Sequence, residues 1–232
     1  MRVLLVIVVA LSLVSAIACS GGDKPEPTAV PSATSASTAT TTTPSSAPQP
    51  PIPGYTSDRR TGDPGVDSVL DAVTSGDVGR VRSLLRFYPV ACKAELTQLG
   101  SPEPKCPTGT PEGTPIDIFP NGSCPSYRSN TREDIDVLLN GLANPAARPY
   151  AVYRRTPVPP DGLAFPHGSI GVVLTVLAPT PSSVGPNYSV WRMEIDAGQI
   201  IIAGVACPSA PVQQVLENLQ VQPGDFLLPP PP

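Results

Sequence analysis

The spacing of apolar residues predicts a pair of helices at the start of the folded part of the chain. A first segment carries apolar residues at positions i, i+3, i+4 and i+7, namely Val66, Val69, Leu70 and Val73. This spacing lines one face of a helix. Gly76 then interrupts the pattern, and Asp77 can cap a second helix. Helical spacing continues over residues 78–88 until Pro89 ends it.

The pattern further along predicts a third helix and a β-rich remainder. The third helix is capped at Asn130 and Thr131 and buries one face. That face consists of Ile135, Leu138, Leu139 and Leu142. Strands are predicted over residues 115–119, 150–155, 170–177, 189–196 and 199–206. A last helix is predicted over residues 212–219.

The strand over residues 189–196 has the clearest alternation. One face carries Trp191, Met193 and Ile195, and the other carries Arg192, Glu194 and Asp196. Such alternation is typical of an antiparallel strand with one buried and one solvated face. The elements together predict an α+β domain over residues 58–228, with an N-terminal helical hairpin followed by a mainly antiparallel sheet.

Residues 1–18 have the pattern of a secretory signal peptide. Arg2 supplies a positive charge, residues 3–14 are mostly Val, Leu and Ile, and small residues follow. A transmembrane helix is the alternative. A span needs about 20 apolar residues, and this run ends sooner, so the pattern favours export.

Cys19 directly follows those small residues. The stretch Ala16-Ile17-Ala18-Cys19 resembles the lipobox of bacterial lipoproteins. The resemblance implies cleavage before Cys19 and attachment of diacylglycerol to its sulfur, which would place the protein at the bacterial cell membrane or cell surface. Ordinary cleavage would instead leave an exposed free thiol, a liability in an oxidising compartment.

Residues 19–57 are predicted to be this anchored N-terminus and a linker. Over residues 25–53 nearly every residue is Pro, Thr, Ser or Ala. A segment of this composition cannot bury enough apolar surface to offset the entropy lost on ordering, so we expect a disordered stalk. At the other end, an apolar segment at residues 225–228 precedes a tail of four prolines, residues 229–232.

Four further cysteines are present, Cys92, Cys106, Cys124 and Cys207. An even number in an exported domain favours two disulfides. A zinc site is the alternative, but such sites favour pairs two to four residues apart, and none of these spacings qualifies. Of the three possible pairings, we expect Cys92 with Cys106, closing a Gly- and Pro-rich loop, and Cys124 with Cys207.

Charge and motif content exclude several classes of function. Lys and Arg number 15 against 19 Asp and Glu, and the basic residues are scattered. Nucleic acid is therefore disfavoured as a partner, because binding it requires clustered positive charge. His167 is the only histidine, in a turn where we expect a solvated side chain. A single histidine leaves no histidine-based metal cluster, and the sequence contains no phosphate-binding or dinucleotide-binding glycine motif, so neither a metal nor a cofactor is predicted.

Two stretches resemble NTF2-like domains of the SnoaL type. Residues 71–85, DAVTSGDVGRVRSLL, resemble the helical hairpin that opens those domains. Residues 191–202, WRMEIDAGQIII, resemble their closing β-hairpin. The resemblance implies an N-terminal helical hairpin packed on a curved antiparallel sheet, with a cone-shaped, partly apolar pocket between helices and sheet. A more general cystatin-like fold is the alternative. The family includes isomerases, dehydratases and hydrolases as well as non-catalytic binding modules.

One set of residues could carry acid–base chemistry. Asp117 lies between two isoleucines on a predicted strand. In an apolar pocket its pKa would be raised, and it could act as a general base. Tyr127 or Tyr153 could then donate to an oxyanion. The simpler interpretation, which we favour, is that Asp117 faces solvent.

Two functional hypotheses follow. The anchor, the linker and the absence of catalytic motifs favour a non-catalytic binding or interaction domain displayed on a stalk. Its partner would be a small apolar ligand or a protein, and the lipid would be its contact with the membrane. The alternative is an NTF2-like acid–base enzyme that uses a pocket carboxylate.

Overall fold

A computed structural model of the protein describes residues 51–96, 103–124, 128–156, 165–178, 187–207 and 210–232. The helices in these ranges are Pro64–Ser75 (α1), Val78–Ser83 (α2), Asp136–Leu142 (α3) and Val212–Asn218 (α4). The strands are Tyr88–Ala91 (β1), Pro115–Asn121 (β2), Arg128–Thr131 (β3), Arg148–Arg154 (β4), Ile170–Leu177 (β5), Tyr188–Asp196 (β6), Gln199–Val205 (β7) and Phe226–Leu228 (β8). The predicted signal peptide, Cys19 and the predicted linker up to residue 50 lie outside the described residues.

Helix α1 begins and ends at residues suited to those positions. The Asp63 side chain accepts hydrogen bonds from the backbone N–H groups of Gly65 and Val66, at 2.9 and 3.1 Å. These bonds satisfy donors that a helix N-terminus leaves unpaired. Gly76 ends the helix with a φ of 75°, a left-handed conformation that favours glycine. The face predicted to be apolar is buried.

The second helix is shorter than the sequence predicted. It ends before Leu84 rather than near Tyr88. The backbones of Leu84 and Arg86 instead exchange hydrogen bonds with Ile200 of β7, at 2.8 and 2.9 Å. The Arg86 guanidinium lies 3.0 Å from the carboxylate of Asp196. Contacts with the sheet therefore replace the last helical turn, and Tyr88 begins β1.

The start of the third helix also differs from the prediction. Asn130 and Thr131, predicted to cap it, lie in β3 and pair with β2. Helix α3 begins at Asp136 and has no side-chain cap. Asn130 and Thr131 are therefore strand residues paired with β2 and do not cap the helix. The predicted apolar face of the helix is buried.

The strands form one open, curved sheet in the order β1-β2-β7-β6-β5-β4-β8, with β3 also paired to β2. Neighbours are antiparallel except β2 and β7, which run parallel and pair at Asn121 and Ala203. The predicted α+β class with a mainly antiparallel sheet is thereby confirmed. The sequence did not predict β1 and β3, and the apolar segment before the proline tail forms the edge strand β8, which pairs with β4.

Both faces of the sheet carry a buried apolar cluster. On the first, which we call the helix-covered face, α1, α2 and α3 pack against residues that include Trp191 and Met193. On the opposite side, the second face, α4 packs through Val212 and Val215 against residues that include Val190. The two sides of β6 therefore face two different sets of neighbours.

Contacts of the folded part begin before Asp58, where the sequence placed its start. The carbonyl oxygen of Pro53 accepts a hydrogen bond from the hydroxyl of Thr175, a buried polar residue. The N–H of Tyr55 donates to the carbonyl of Pro149 at 2.7 Å. Residues 53–55 therefore belong to the folded domain rather than to the linker.

Two disulfides cross-link the domain. Cys92 is bonded to Cys106 and Cys124 to Cys207, with Cα atoms 4.9 and 4.8 Å apart. These are the two pairs expected from the sequence. Structural disulfides are typical of oxidising compartments, so they indicate a location outside the reducing cytosol.

The two disulfides close loops of different length, so their removal should destabilise the protein to different extents. Cys124 and Cys207 are 83 positions apart, and Cys92 and Cys106 are 14 positions apart. Loop entropy then predicts that Cys124→Ser/Cys207→Ser lowers the free energy of unfolding by about 4.5 kcal/mol, and Cys92→Ser/Cys106→Ser by about 3 kcal/mol. Urea unfolding followed by Trp191 fluorescence measures both, with the parent protein as reference. A larger loss of unfolding free energy on removal of the Cys92–Cys106 bond than of the Cys124–Cys207 bond would contradict the loop-entropy prediction.

Candidate functional site

A cleft opens on the second face of the sheet beside the end of α4. Its volume is about 110 Å³. The lining residues used below are Tyr153, Arg155, Arg192, Glu194, Ile202 and Leu219. Sites for drug-sized ligands usually measure about 300–1,000 Å³. This cleft therefore suits a small molecule, or one group of a larger one.

Strand register brings the polar lining together. Tyr153 of β4 pairs with Gly171 of β5, and Gly171 pairs in turn with Glu194 of β6. In the adjacent row Arg192 of β6 pairs with Gly204 of β7. Since residues two apart on a strand share a face, Arg192 and Glu194 both project from the second face.

Two glycines allow the close packing that forms the walls of the cleft. A Cβ atom at Gly171 would lie 2.3 Å from Cζ of Tyr153, so the ring packs directly on the backbone of β5. A Cβ atom at Gly204 would lie 2.4 Å from backbone atoms of Gly122 and Ser123. Any side chain at Gly204 would therefore push this segment away from β7.

A buried charged group lies on one side of the cleft. Glu194 forms an ion pair with Arg155, and its Oε2 lies 3.1 Å from Nδ1 of His167. The same oxygen accepts a hydrogen bond from the N–H of Gly168 at 2.9 Å. The side chains of Arg155, Glu194 and His167 are only 18, 15 and 14% exposed. A carboxylate buried to this extent requires such partners, and here they hold residues 167–168 against β6.

Two expectations from the sequence are wrong at this point. Glu194 was expected to face solvent, and His167 was expected to be a solvated turn residue. Both are largely buried and contact each other. Alternation along β6 indicated two faces, but it could not indicate that His167 would cover Glu194.

Arg192 has hydrogen-bonding capacity that the protein does not use. Within the described ranges its guanidinium makes one long hydrogen bond, from Nη2 to the carbonyl of Gly122 at 3.4 Å. Its Nε is buried without a partner among those residues. A guanidinium carries five N–H donors, and a buried donor without an acceptor is destabilising. An acceptor supplied by a ligand or by water is expected here.

Tyr153 supplies a second donor. It is 7% exposed, and the ring of Phe226 packs edge-on against it with centroids 6.5 Å apart. Burial raises the pKa of the phenol, although Arg155 and Arg192 act in the opposite direction. The hydroxyl therefore stays protonated at neutral pH. It has no hydrogen-bond partner in the described part of the chain.

Of the three residues singled out for acid–base chemistry, the structure places one at the cleft. That residue is Tyr153. Asp117 is 50% exposed and forms an ion pair with Arg132 at 3.1 Å, so it faces solvent, as the favoured interpretation held. Tyr127 lies outside the described residues.

The sequence did not mark Arg155, Arg192 or Glu194 as site residues. One signal was available, because three charged residues, Arg192, Glu194 and Asp196, alternate with large apolar ones along one strand of the hairpin. That pattern is also typical of a solvated face. The four cysteines are committed to disulfides, and the described residues contain no group of three or more His, Cys, Asp or Glu side chains suited to a metal ion.

The cleft lies on the face opposite to the pocket that an NTF2-like fold implies. The helix-covered face, where that pocket would be, carries a buried apolar cluster that includes Leu139 and Met193. Comparison of the chain with known protein families, with curated proteins and with solved structures found no match. The function is therefore inferred from the geometry of the cleft.

Alkaline titration provides a test of the buried phenols. Burial raises the pKa values of Tyr88, Tyr150 and Tyr153 above the ordinary value of about 10. The native state then keeps protons that the unfolded chain loses, so this stabilisation is complete below pH 10 and is lost as the pH rises through the raised pKa values. We therefore expect these three phenols to ionise late when phenolate absorbance is followed with rising pH.

Tyr153→Phe should remove one of these late-titrating groups. Complete formation of phenolate near pH 10, while circular dichroism still reports a folded protein, would contradict the burial of the cleft phenol.

Proposed function

We propose that this chain is an exported lipoprotein, anchored through Cys19, whose folded domain binds a small ligand without catalysis. The observation that carries the binding proposal is the pair of donors in the cleft. Arg192 and Tyr153 line a cavity and have hydrogen-bonding capacity that the described protein groups leave unused. Convergent polar groups in a concave site are the usual mark of a ligand site.

Anchoring is supported by the use of the cysteines. Four of the five take part in disulfides, which leaves Cys19 as the remaining one. It directly follows a signal-peptide pattern, and the disulfides agree with an oxidising compartment. Acylation would explain the odd count and would remove an exposed thiol. None of the helices that the structure describes has the length and apolar character needed to cross a bilayer.

A non-catalytic role is supported by what the carboxylates contact. Asp117, the proposed base, is exposed and paired with Arg132. Glu194, the carboxylate of the cleft, is engaged by Arg155 and by the N–H of Gly168. Both arrangements favour structural roles. The NTF2-like relationship stays a prediction from the two stretches that carry it.

Lipid attachment predicts a specific mass and location. Expressed in a bacterium that processes lipoproteins, the mature protein should begin at Cys19, carry diacylglycerol and sediment with membranes. Each buried methylene contributes about 0.8 kcal/mol of membrane affinity, so Cys19→Ser should move the protein to the soluble fraction.

Cys92→Ser/Cys106→Ser, which changes cysteines without touching the anchor, should stay with the membranes. Intact-mass spectrometry of the membrane fraction measures both the cleavage before Cys19 and the attachment of diacylglycerol. An uncleaved leader, or a mature chain with an unmodified thiol at Cys19, would contradict anchoring.

Binding in the cleft predicts a loss of affinity when the cleft is filled. A panel of short-chain carboxylic acids, amides, amines and alcohols can be screened by ligand-observed NMR. At least one chemical class should bind the parent protein and fail to bind Leu219→Trp, because the larger ring occupies the rim of the cleft. Val137→Trp, at an 85% exposed position on α3 away from the cleft lining, is the matched control and should bind like the parent. A panel without any binder, or equal binding to Leu219→Trp, would overturn the proposed function.

A further inference from the structure

Resting on the proposed function, we infer that the cleft binds a carboxylate that carries a small apolar group. The inference assigns three roles on the second face. Arg192 and Tyr153 donate hydrogen bonds to the carboxylate oxygens, and Leu219 contacts the apolar group.

The charge of the lining selects an anion. Arg155 and Glu194 compensate each other in an ion pair. Arg192 also lines the cleft, and the described residues contain no carboxylate paired with it. A neutral ligand could accept a hydrogen bond from Arg192 but would leave its charge uncompensated, and a cation would be repelled by it. An anion both accepts from the guanidinium and compensates its charge, and such charge-assisted hydrogen bonds are the stronger ones.

The shape of the donors favours a carboxylate over a phosphate. A guanidinium presents two parallel N–H groups that match the two oxygens of a carboxylate. A phosphate dianion would bring a second negative charge into a cleft that Glu194 also lines, and like charges in a partly buried site repel each other strongly. The protonated hydroxyl of Tyr153 adds one further donor from β4, on the same face of the sheet.

The rest of the lining calls for an apolar substituent of limited size. Ile202 and Leu219 line the cleft together with the polar groups, and Ile202 is only 6% exposed. The volume of about 110 Å³ accommodates a few heavy atoms beyond the carboxylate. A free short-chain acid and the C-terminal residue of a peptide both present this chemistry.

The test compares acids with uncharged amides of the same shape. Isovalerate should bind the parent protein with a Kd of the order of 1 mM, as expected for a ligand of this size, and isovaleramide should bind at least about tenfold more weakly. N-acetyl-alanyl-leucine as free acid and as amide forms a second pair. Tighter binding of the peptide acid than of isovalerate points to a peptide C-terminus as the source, and the reverse order points to a free acid. Chemical-shift titration at constant ionic strength measures all four.

Variants assign the carboxylate to its donors. Arg192→Gln should weaken isovalerate binding about tenfold or more and isovaleramide binding by a smaller factor, because only the acid loses a charge-assisted hydrogen bond. Tyr153→Phe keeps the ring and removes only the hydroxyl, so it should weaken isovalerate by a smaller factor. Arg132→Gln is the control, because Arg132 pairs with Asp117 and does not line the cleft, and this variant should bind like the parent. Urea unfolding of each variant confirms that it is folded, and the acid–amide comparison on the parent protein does not depend on any variant.

The outcomes separate the ligand class from the function itself. If isovaleramide binds as tightly as isovalerate and Leu219→Trp abolishes both, the cleft is a binding site but the carboxylate inference is overturned. If isovalerate binding survives Arg192→Gln and Tyr153→Phe together, the inference also fails. If no compound of the panel binds the cleft, the proposed function fails with it.

Discussion

The close parallel contact between the end of β2 and β7 is the constraint on which the rest of the domain depends. In the described sheet, β7 joins β2, and with it β1 and β3, to the other strands. Gly122 and Cys124 donate backbone hydrogen bonds to Ala203 and Val205, at 2.9 and 2.8 Å. This approach requires glycine at position 204, because a Cβ atom there would meet the neighbouring backbone at 2.4 Å. A short parallel ladder is a weak pairing, and the Cys124–Cys207 disulfide reinforces it at the point where the strands end.

The same contact forms a wall of the cleft. The carbonyl of Gly122 is the one described partner of the Arg192 guanidinium, and it lies on the segment that Gly204 allows to approach. Opposite, the Arg155–Glu194 pair holds residues 167–168 against β6. A buried ion pair of this kind adds little net stability but loses much if one partner is removed. The ion pair holds this side of the cleft in place, so that the donors Arg192 and Tyr153 occupy fixed positions before a ligand binds.

The proposed anchor and the cross-linked domain fit one physical arrangement. Contacts of the domain begin near residue 53, and in the sequence a Pro-, Thr- and Ser-rich segment lies between that residue and Cys19, the proposed site of the lipid. The two disulfides cross-link that domain, which agrees with the oxidising compartment that an exported lipoprotein would occupy.

The sequence by itself determined the elements whose pattern is local. The face of α1, the boundaries of β5 and the pairing of Cys92 with Cys106 follow from residues close together in the chain. Tertiary structure decided the rest. It ended α2 early through Ile200 and took Asn130 into β3, and it buried Glu194 under His167. Periodicity reports which side of an element is apolar, because side chains repeat with the backbone geometry. It carries no information on which distant segment covers that side, since this depends on strand register and on pairing between residues far apart in the chain.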